Sequence, residues 1–333
     1  MNIAILGAGT WGIALSRVLS QNGHRVDVWS KFDTECNQLR QTRRMPNLPG
    51  IEIPNEIFFT SDPKLAVQNA DFIFTVVPSV YMRDTVRTFA PWVHRDQSWV
   101  NASKGIEKDT LLTMTEVIQD ELGQAGISDP SVSALSGPTH AEEVALDLPT
   151  LIVAAGPETV ACRVQKLFEG TCIRPYTNPD IRGVQICGAL KNVEALAVGI
   201  SQGLGYGDNT RAALITRGME EIRRLGLAMG CEERTFFGLA GIGDLIVTAT
   251  SGHSRNNRCG IMIGQGVPVK EAVQRIGMVV EGINALPAAV SLCRLYHMDM
   301  PLIDAVRQVV EEGADPGRMV QDLMGRSLKR EVR

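Results

Sequence analysis

The sequence contains no C-x-x-C pair, no H-E-x-x-H, no block of like charge and no apolar run approaching a membrane span. Each absence removes a class of protein. The seven cysteines (Cys36, Cys162, Cys172, Cys187, Cys231, Cys259, Cys293) are scattered and odd in number, which fits reduced, mostly buried thiols rather than a disulfide framework. None of the five histidines stands at ligand spacing from a cysteine, so no metal is expected. A spanning helix needs roughly 18–20 apolar residues in a row, and none is present, so no membrane insertion is expected. The first residues show no charged segment followed by an apolar stretch and a cleavage site. The expectation is a cytoplasmic chain without a secretory leader. Net charge is only -4 and no basic face is apparent, so no nucleic-acid partner is expected.

What remains is ordinary globular composition, 44% hydrophobic and 21% charged over 333 residues, which predicts about two domains. The first half alternates β-branched runs with amphipathic stretches. Strands are expected at Ile3–Leu6, Val26–Trp29, Ile57–Phe59, Phe72–Val77, Trp99–Ala102, Val132–Leu135, Leu151–Ala154 and Cys172–Tyr176. Helices are expected between them, for example at Ile13–Ser20, Leu65–Asn69 and Leu111–Leu122, and Asp62-Pro63 reads as an N-cap followed by proline. This alternation predicts a mostly parallel, Rossmann-like sheet with helices on both faces. From about Ile181 strand patterns largely disappear. Helical spacing takes over at Val184–Gly199, Ala212–Met229, Val269–Ile276, Asn284–Tyr296 and Leu302–Glu312. The expected division is an α/β dinucleotide-binding domain at 1–180 and an all-α substrate-binding domain at 181–333.

Gly7-Ala8-Gly9-Thr10-Trp11-Gly12 is a G-x-G-x-x-G placed directly after an apolar strand and before a helix. Gly7 permits the tight turn, Gly9 lets the backbone approach a pyrophosphate, and Gly12 lets the helix pack on the strand. An NAD-selective site usually carries Asp or Glu at the end of the second strand. Here Trp29 runs into Ser30-Lys31, while Asp27 lies inside the strand and Asp33 starts the next helix. Ser30 and Lys31, with Arg43 or Arg44 as helpers, suit a 2′-phosphate. NADP(H) is therefore favoured, with NAD(H) as the alternative. Pro78-Ser79, after the fourth strand, falls where the chain would turn beneath a cofactor.

Hydride transfer to a ketone leaves negative charge growing on oxygen, which calls for a proton donor and positive potential. Lys104 follows the fifth strand beside Gly105. Lys191 lies in a strongly apolar helix, where partial burial would depress its pKa from about 10.4; the competing reading is a structural salt bridge with Glu194 one turn away. Asp244, after Gly241-Ile242-Gly243, suits orienting a lysine or accepting a hydroxyl, and equally suits capping a helix. Ser254-Arg255-Asn256-Asn257-Arg258 reads as a polar loop whose hydroxyl, guanidinium and amide donors fit a phosphate; a solvated basic loop is the alternative.

Seven blocks in order resemble the NAD(P)-dependent glycerol-3-phosphate dehydrogenases of bacterial type: the glycine turn, Ser103-Lys104-Gly105-Ile106-Glu107, Ser136-Gly137-Pro138-Thr139-His140-Ala141-Glu142-Glu143, Leu190-Lys191-Asn192, Gly205-Tyr206-Gly207-Asp208-Asn209-Thr210, Gly241-Ile242-Gly243-Asp244-Leu245 and Ser254-Arg255-Asn256. The resemblance runs on to Val279-Val280-Glu281-Gly282. It implies reversible conversion of dihydroxyacetone phosphate to sn-glycerol 3-phosphate in a cytoplasmic homodimer that feeds phospholipid synthesis. It also implies Lys191 as acid/base, Lys104 in contact with substrate and cofactor, and Asp244 beside them. Substrate positions implied are Gly137, Thr139, Asn192, Asp244, Ser254, Arg255 and Asn256. Cofactor positions implied are Gly7, Gly9, Thr10, Trp11, Gly12, Lys31, Lys104, Ala141, Arg255, Val279 and Glu281. Thr10 and Thr139 stand where the family often has serine, and Lys31 where it often has arginine or histidine. Competing readings are a two-domain 3-hydroxyacid-type dehydrogenase, which would not need the phosphate donors, a non-catalytic NADPH sensor, and a methyltransferase using S-adenosylmethionine, which would carry an acid where Ser30-Lys31 stands.

Overall fold

A computed structural model of the chain describes residues 1–328, 330 and 331. Its eight strands are β1 (Asn2–Leu6), β2 (Arg25–Trp29), β3 (Phe58–Thr60), β4 (Phe72–Thr75), β5 (Ser98–Asn101), β6 (Ser131–Ser136), β7 (Thr150–Ala155) and β8 (Ile173–Asn178). They form one sheet in the order β3-β2-β1-β4-β5-β6-β7-β8. All neighbours are parallel except β6 and β7, which run antiparallel with Leu135 opposite Ala154. The order reverses at β1, with β2 on one side and β4 on the other, and a crevice opens beyond the carboxyl ends of strands at such a switch point.

The period of two in the strands explains why both faces are covered. Ile3, Ile5, Val26, Val28, Phe72 and Phe74 enter one apolar core, whereas Ala4, Leu6, Trp29, Ile73 and Trp99 enter the other. The antiparallel step at β7 departs from simple strand–helix alternation. A parallel return needs a crossover over the sheet face. Here Gly137, at φ 147°, turns the chain at the carboxyl edge, and only a five-residue helix (Ala141–Ala145) follows before β7. Arg17 of the first helix (Thr10–Gln21) grips the connection through two hydrogen bonds of 2.7 Å to Asp147. The residues from Gly137 to Asp147 therefore stay beside the glycine turn's helix.

From Ile181 onward every regular element among the described residues is a helix. The central one, Ile181–Gly203, is capped by Asp180, whose Oδ1 accepts from the Gly183 N–H at 2.8 Å. It has no polar face and is buried nearly all round, as expected of a helix at the centre of a bundle. Helices Asp208–Ala228, Asp244–Thr250, Arg255–Gly264, Glu281–Leu295 and Pro301–Glu312 surround it.

Two sequence expectations shift. The helix expected from Leu111 begins at Met114, because Thr113 and Glu116 form a reciprocal cap (Thr113 N to Glu116 Oε2, 2.8 Å) and Leu111 takes φ 61°. The segment read as a polar loop at Ser254–Arg258 is a helix start: Ser254 is the N-cap of Arg255–Gly264 and accepts from the Asn257 N–H at 3.2 Å. No single helix among the described residues is long and apolar enough to cross a membrane.

Candidate active site

The dinucleotide end is built by backbone shape. Gly7 has φ 123°, and its N–H donates to the Trp29 carbonyl at 2.9 Å, tying the turn to the end of β2. A side chain on Gly7 would sit 2.8 Å from the Val76 carbonyl oxygen, and one on Gly12 would sit 2.0 Å from the Gly7 oxygen. Nothing lies within 4 Å of the corresponding point on Gly9. Packing thus demands glycine at Gly7 and Gly12, whereas the space over Gly9 is open for a ligand. The helix Thr10–Gln21 starts at Gly9 with no side-chain cap, and the buried Thr10 hydroxyl has no hydrogen-bond partner among the described residues. Uncapped N–H groups, an orphaned hydroxyl and the positive helix end together fit a pyrophosphate.

The residues expected to do the chemistry meet as a carboxylate held between two ammonium groups. Asp244, 1% exposed, receives Lys191 Nζ on Oδ1 at 2.5 Å and Lys104 Nζ on Oδ2 at 2.6 Å. Lys104 also donates to the Gly137 carbonyl at 3.0 Å, and that same oxygen accepts from the Thr139 hydroxyl at 3.1 Å. Three regions of sequence meet here: the loop after β5, the turn after β6 and the helical part. The loop carrying Lys104 is braced by Ser103, whose hydroxyl donates to the Val77 carbonyl at 2.6 Å. Lys191 does not pair with Glu194; its amine also donates to the Thr248 hydroxyl, which in turn donates to the Asp244 carbonyl at 2.7 Å. Thr248 escaped the sequence reading. Its position one helical turn after Asp244 was the available signal.

Burial pushes the Lys191 ammonium down to about 7, the Asp244 charge opposing that shift and Lys104 adding to it. A lysine near 7 carries a useful fraction of both protonation states at neutral pH. His140, part-buried beside this cluster with Nε2 3.3 Å from the Val247 carbonyl, is held below its ordinary value chiefly by burial.

A second cluster adjoins the first through Asn192. Its Oδ1 accepts from Asn256 Nδ2 at 2.9 Å, and Asn256 Oδ1 accepts from the Gly282 N–H at 2.8 Å. Both amides therefore join helices together, and because Asn192 Nδ2 also donates to the Gly188 carbonyl at 3.2 Å, one N–H of each is left for a ligand. Arg255, in the first turn of its helix, faces the charges of Glu281 and Glu142. Glu281 accepts from the Ser79 N–H at 3.1 Å and from the Ser79 hydroxyl at 2.7 Å. Burial raises its carboxyl above the usual range, with the Ser79 bonds opposing. Ser79 and Glu281 thereby join the turn after β4 to the helical part, and Val279 lies half-buried two residues before Glu281.

The remaining residues expected at the cofactor are more dispersed. Trp11 lies in the first turn of the N-terminal helix and Ala141 in the short helix packed against it. Lys31 is exposed at the end of β2, away from the two-lysine centre. Ser30, expected as a phosphate donor, is buried and directs its hydroxyl to Glu35.

Known proteins resemble the chain over nearly its whole length. The sequence profile described as the NAD-dependent glycerol-3-phosphate dehydrogenase N-terminus matches residues 2–162, and that of the C-terminus matches residues 180–321. Glycerol-3-phosphate dehydrogenase (NAD(P)+) 2 of Lactobacillus delbrueckii subsp. bulgaricus is 55% identical, the alignment covering 99% of this chain and 98% of that protein. The Bacillus subtilis glycerol-3-phosphate dehydrogenase (NAD(P)+) is 44% identical over 99% of this chain and 96% of its own length. The crystal structure of glycerol-3-phosphate dehydrogenase from Coxiella burnetii superposes with a TM-score of 0.93 at 36% identity, covering 98% of this chain and 99% of that one.

Proposed function

The chain belongs to the NAD-dependent glycerol-3-phosphate dehydrogenase family, and from that premise we propose that it reversibly reduces dihydroxyacetone phosphate to sn-glycerol 3-phosphate with NAD(P)H. The observation that carries the mechanism is the Lys191–Asp244–Lys104 bridge near the carboxyl edge of the sheet. When bound, the dihydronicotinamide supplies a hydride to C2 of the ketone. Everything else falls to the protein. The Lys191 ammonium gives its proton to the substrate oxygen as negative charge develops there, and in the oxidative direction the neutral amine takes it back. Lys104 keeps positive potential over that oxygen. Asp244 fixes both amines and prevents their mutual repulsion from driving them apart.

The substrate phosphate is assigned to the start of the helix Arg255–Gly264. Support comes from the Arg255 guanidinium, the first-turn N–H groups of that helix and the remaining N–H groups of Asn192 and Asn256. Ser254 takes a positioning role, because its hydroxyl oxygen caps the helix. Gly137 and Thr139 form the wall beside Lys104. On the nucleotide side we assign Gly7, Gly9, Thr10, Trp11 and Gly12 to the pyrophosphate, and Ala141, Val279 and Glu281 to the walls of the cofactor cleft. Lys31 serves the adenosine end and favours NADPH. In this reading residues 1–180 are the nucleotide-binding unit and 181–333 the substrate-binding unit. The protein acts as a cytoplasmic homodimer that supplies glycerol 3-phosphate for phospholipid synthesis.

The test follows NADPH and NADH oxidation separately with dihydroxyacetone phosphate. Turnover with at least one nucleotide is expected. Binding of both without turnover would instead favour the non-catalytic sensor, and turnover only with carboxylated ketones would favour the 3-hydroxyacid reading.

A further inference from the structure

The turn after β2 holds a carboxylate in the region where Ser30-Lys31 suggested a phosphate pocket. The end of this strand abuts the glycine turn through the Gly7 N–H to Trp29 carbonyl bond of 2.9 Å. In a sheet of this order the adenosine ribose lies at that strand end. Ser30 is the next residue, 3% exposed. Its hydroxyl donates to Glu35 Oε2 and accepts from the Phe32 N–H at 3.2 Å. Glu35 belongs to the first turn of the helix Asp33–Thr42 and reaches back to the strand end to make this bond. Asp33, beside it, accepts from the Ser61 hydroxyl. The strand end is therefore flanked by two carboxylates and by one exposed ammonium, Lys31. The buried hydroxyl that a 2′-phosphate would need is already committed to one of those carboxylates.

We propose that Glu35, anchored by Ser30, sets the balance between NADPH and NADH in this protein. Its carboxylate accepts from the ribose hydroxyls of NADH and repels the 2′-phosphate of NADPH, offsetting the attraction of Lys31. The inference rests on the dinucleotide reading of the preceding subsection. A phosphate monoester carries about −1.5 to −2 charge at neutral pH. A carboxylate several ångströms away is not fully screened, since the Debye length is about 8 Å at physiological salt. Glutamine at position 35 removes the repulsion while keeping an oxygen that accepts from Ser30 and from a ribose hydroxyl.

The measurement is the dissociation constant of NADPH and of NADH, read from nucleotide fluorescence on the purified full chain without ketone substrate. Glu35→Gln should tighten NADPH roughly tenfold and leave NADH within about twofold. The gain should shrink in 1 M salt, where the Debye length is about 3 Å. Glu35→Ser, which also removes the charge, should move the NADPH-to-NADH ratio in the same direction. Lys31→Ala should weaken NADPH more than NADH in both backgrounds. An unchanged ratio in both Glu35 variants, with the parent binding both nucleotides, overturns this inference alone. So does a shift that persists undiminished in high salt, because charge would then not be its cause. Failure of the parent to bind either nucleotide overturns the dinucleotide reading and this inference with it.

Discussion

Lys191 owes its character to its surroundings rather than to its own chemistry. Its helix is apolar on almost every side, and that burial, opposed by Asp244, brings the amine to about 7 from the ordinary value of 10.5. In the proposed mechanism reduction needs the ammonium, so kcat/KM for dihydroxyacetone phosphate should fall as pH rises through about 7. Oxidation of glycerol 3-phosphate needs the amine and should rise over the same interval. Lys191→Ala should lower kcat by roughly 10²–10⁴, with unchanged circular dichroism, and should abolish both inflections; near-parental turnover would remove Lys191 from the chemistry. Arg255 is tested by steady-state kinetics. Losing a charge-assisted phosphate contact, worth about 1.5–3 kcal/mol, should raise KM for dihydroxyacetone phosphate by roughly 10- to 150-fold in Arg255→Ala. An unchanged KM would move the phosphate elsewhere. The sequence made Lys104, Lys191 and Asp244 visible as isolated charges in unusual company. It did not show that one carboxylate serves both lysines, since Asp244 lies 140 residues from Lys104 and 53 from Lys191.

At the scale of elements, one helix crossing holds the proposed acid/base and the proposed phosphate site together. Gly199 and Gly203 on the central helix meet Gly260 and Gly264 on the helix Arg255–Gly264, backbone against backbone. A side chain on Gly260 would come within 2.3 Å of the Leu196 carbonyl oxygen, and one on Gly199 within 2.2 Å of the Asn257 oxygen. Neither obstacle is a flexible side chain, so the helices themselves must separate. Gly260→Ala should cost about 1–3 kcal/mol of stability despite its better helix propensity, seen as a lower urea midpoint. The same displacement moves Arg255 relative to Lys191, so KM should rise as well. Unaltered stability would mean that the crossing relaxes freely. The spacing of four between these glycines is present in the sequence, but only the crossing shows that the two pairs meet. The Ser254 segment, however, read as a loop because its polar residues outweighed the apolar spacing of three and four from Cys259 to Met262 and Ile263 downstream.

At the scale of the whole molecule, stability should depend on pH through a pair of carboxyls that the proposed mechanism does not use. Glu194 is buried on the central helix, and its Oε1 has no hydrogen-bond partner among the described residues; burial raises it well above 4.5, with the Glu221 charge adding to the shift. Glu221, on the neighbouring helix, accepts from the Leu302 N–H at 3.0 Å and is pushed up to about 7, again mainly by burial. For a carboxyl raised in the folded state, the native protein holds protons that the unfolded chain has released. Stability is therefore lost as pH rises from 4.5 towards the folded value. Glu194→Leu should stabilise the protein more at pH 8 than at pH 5, measured by urea unfolding. Lys191, with its lowered value, contributes the opposite slope between about 7 and 10.5, and it contributes equally to parent and variant. An equal gain at both pH values would show that Glu194 is not the source of the dependence.

Local chemistry written in the sequence was enough to determine the glycine turn, the strand pattern that makes a two-faced sheet, the change to helices from about Ile181 and the candidate lysines. Each follows from residues within a few positions of one another: a period of two, a period of 3.6, or a glycine where no side chain fits. The tertiary structure alone decided the antiparallel step at β7, the capture of both lysines by Asp244, the joining of Ser79 to Glu281 and the turning of Ser30 towards Glu35. All but the last of these depend on how elements stack at the carboxyl edge of the sheet. The Ser30 contact spans only five residues, yet it depends on how the helix after β2 folds back over the strand. Hydrogen-bond partners such as these are chosen by proximity in space, and sequence periodicity carries no information about which polar groups will meet there.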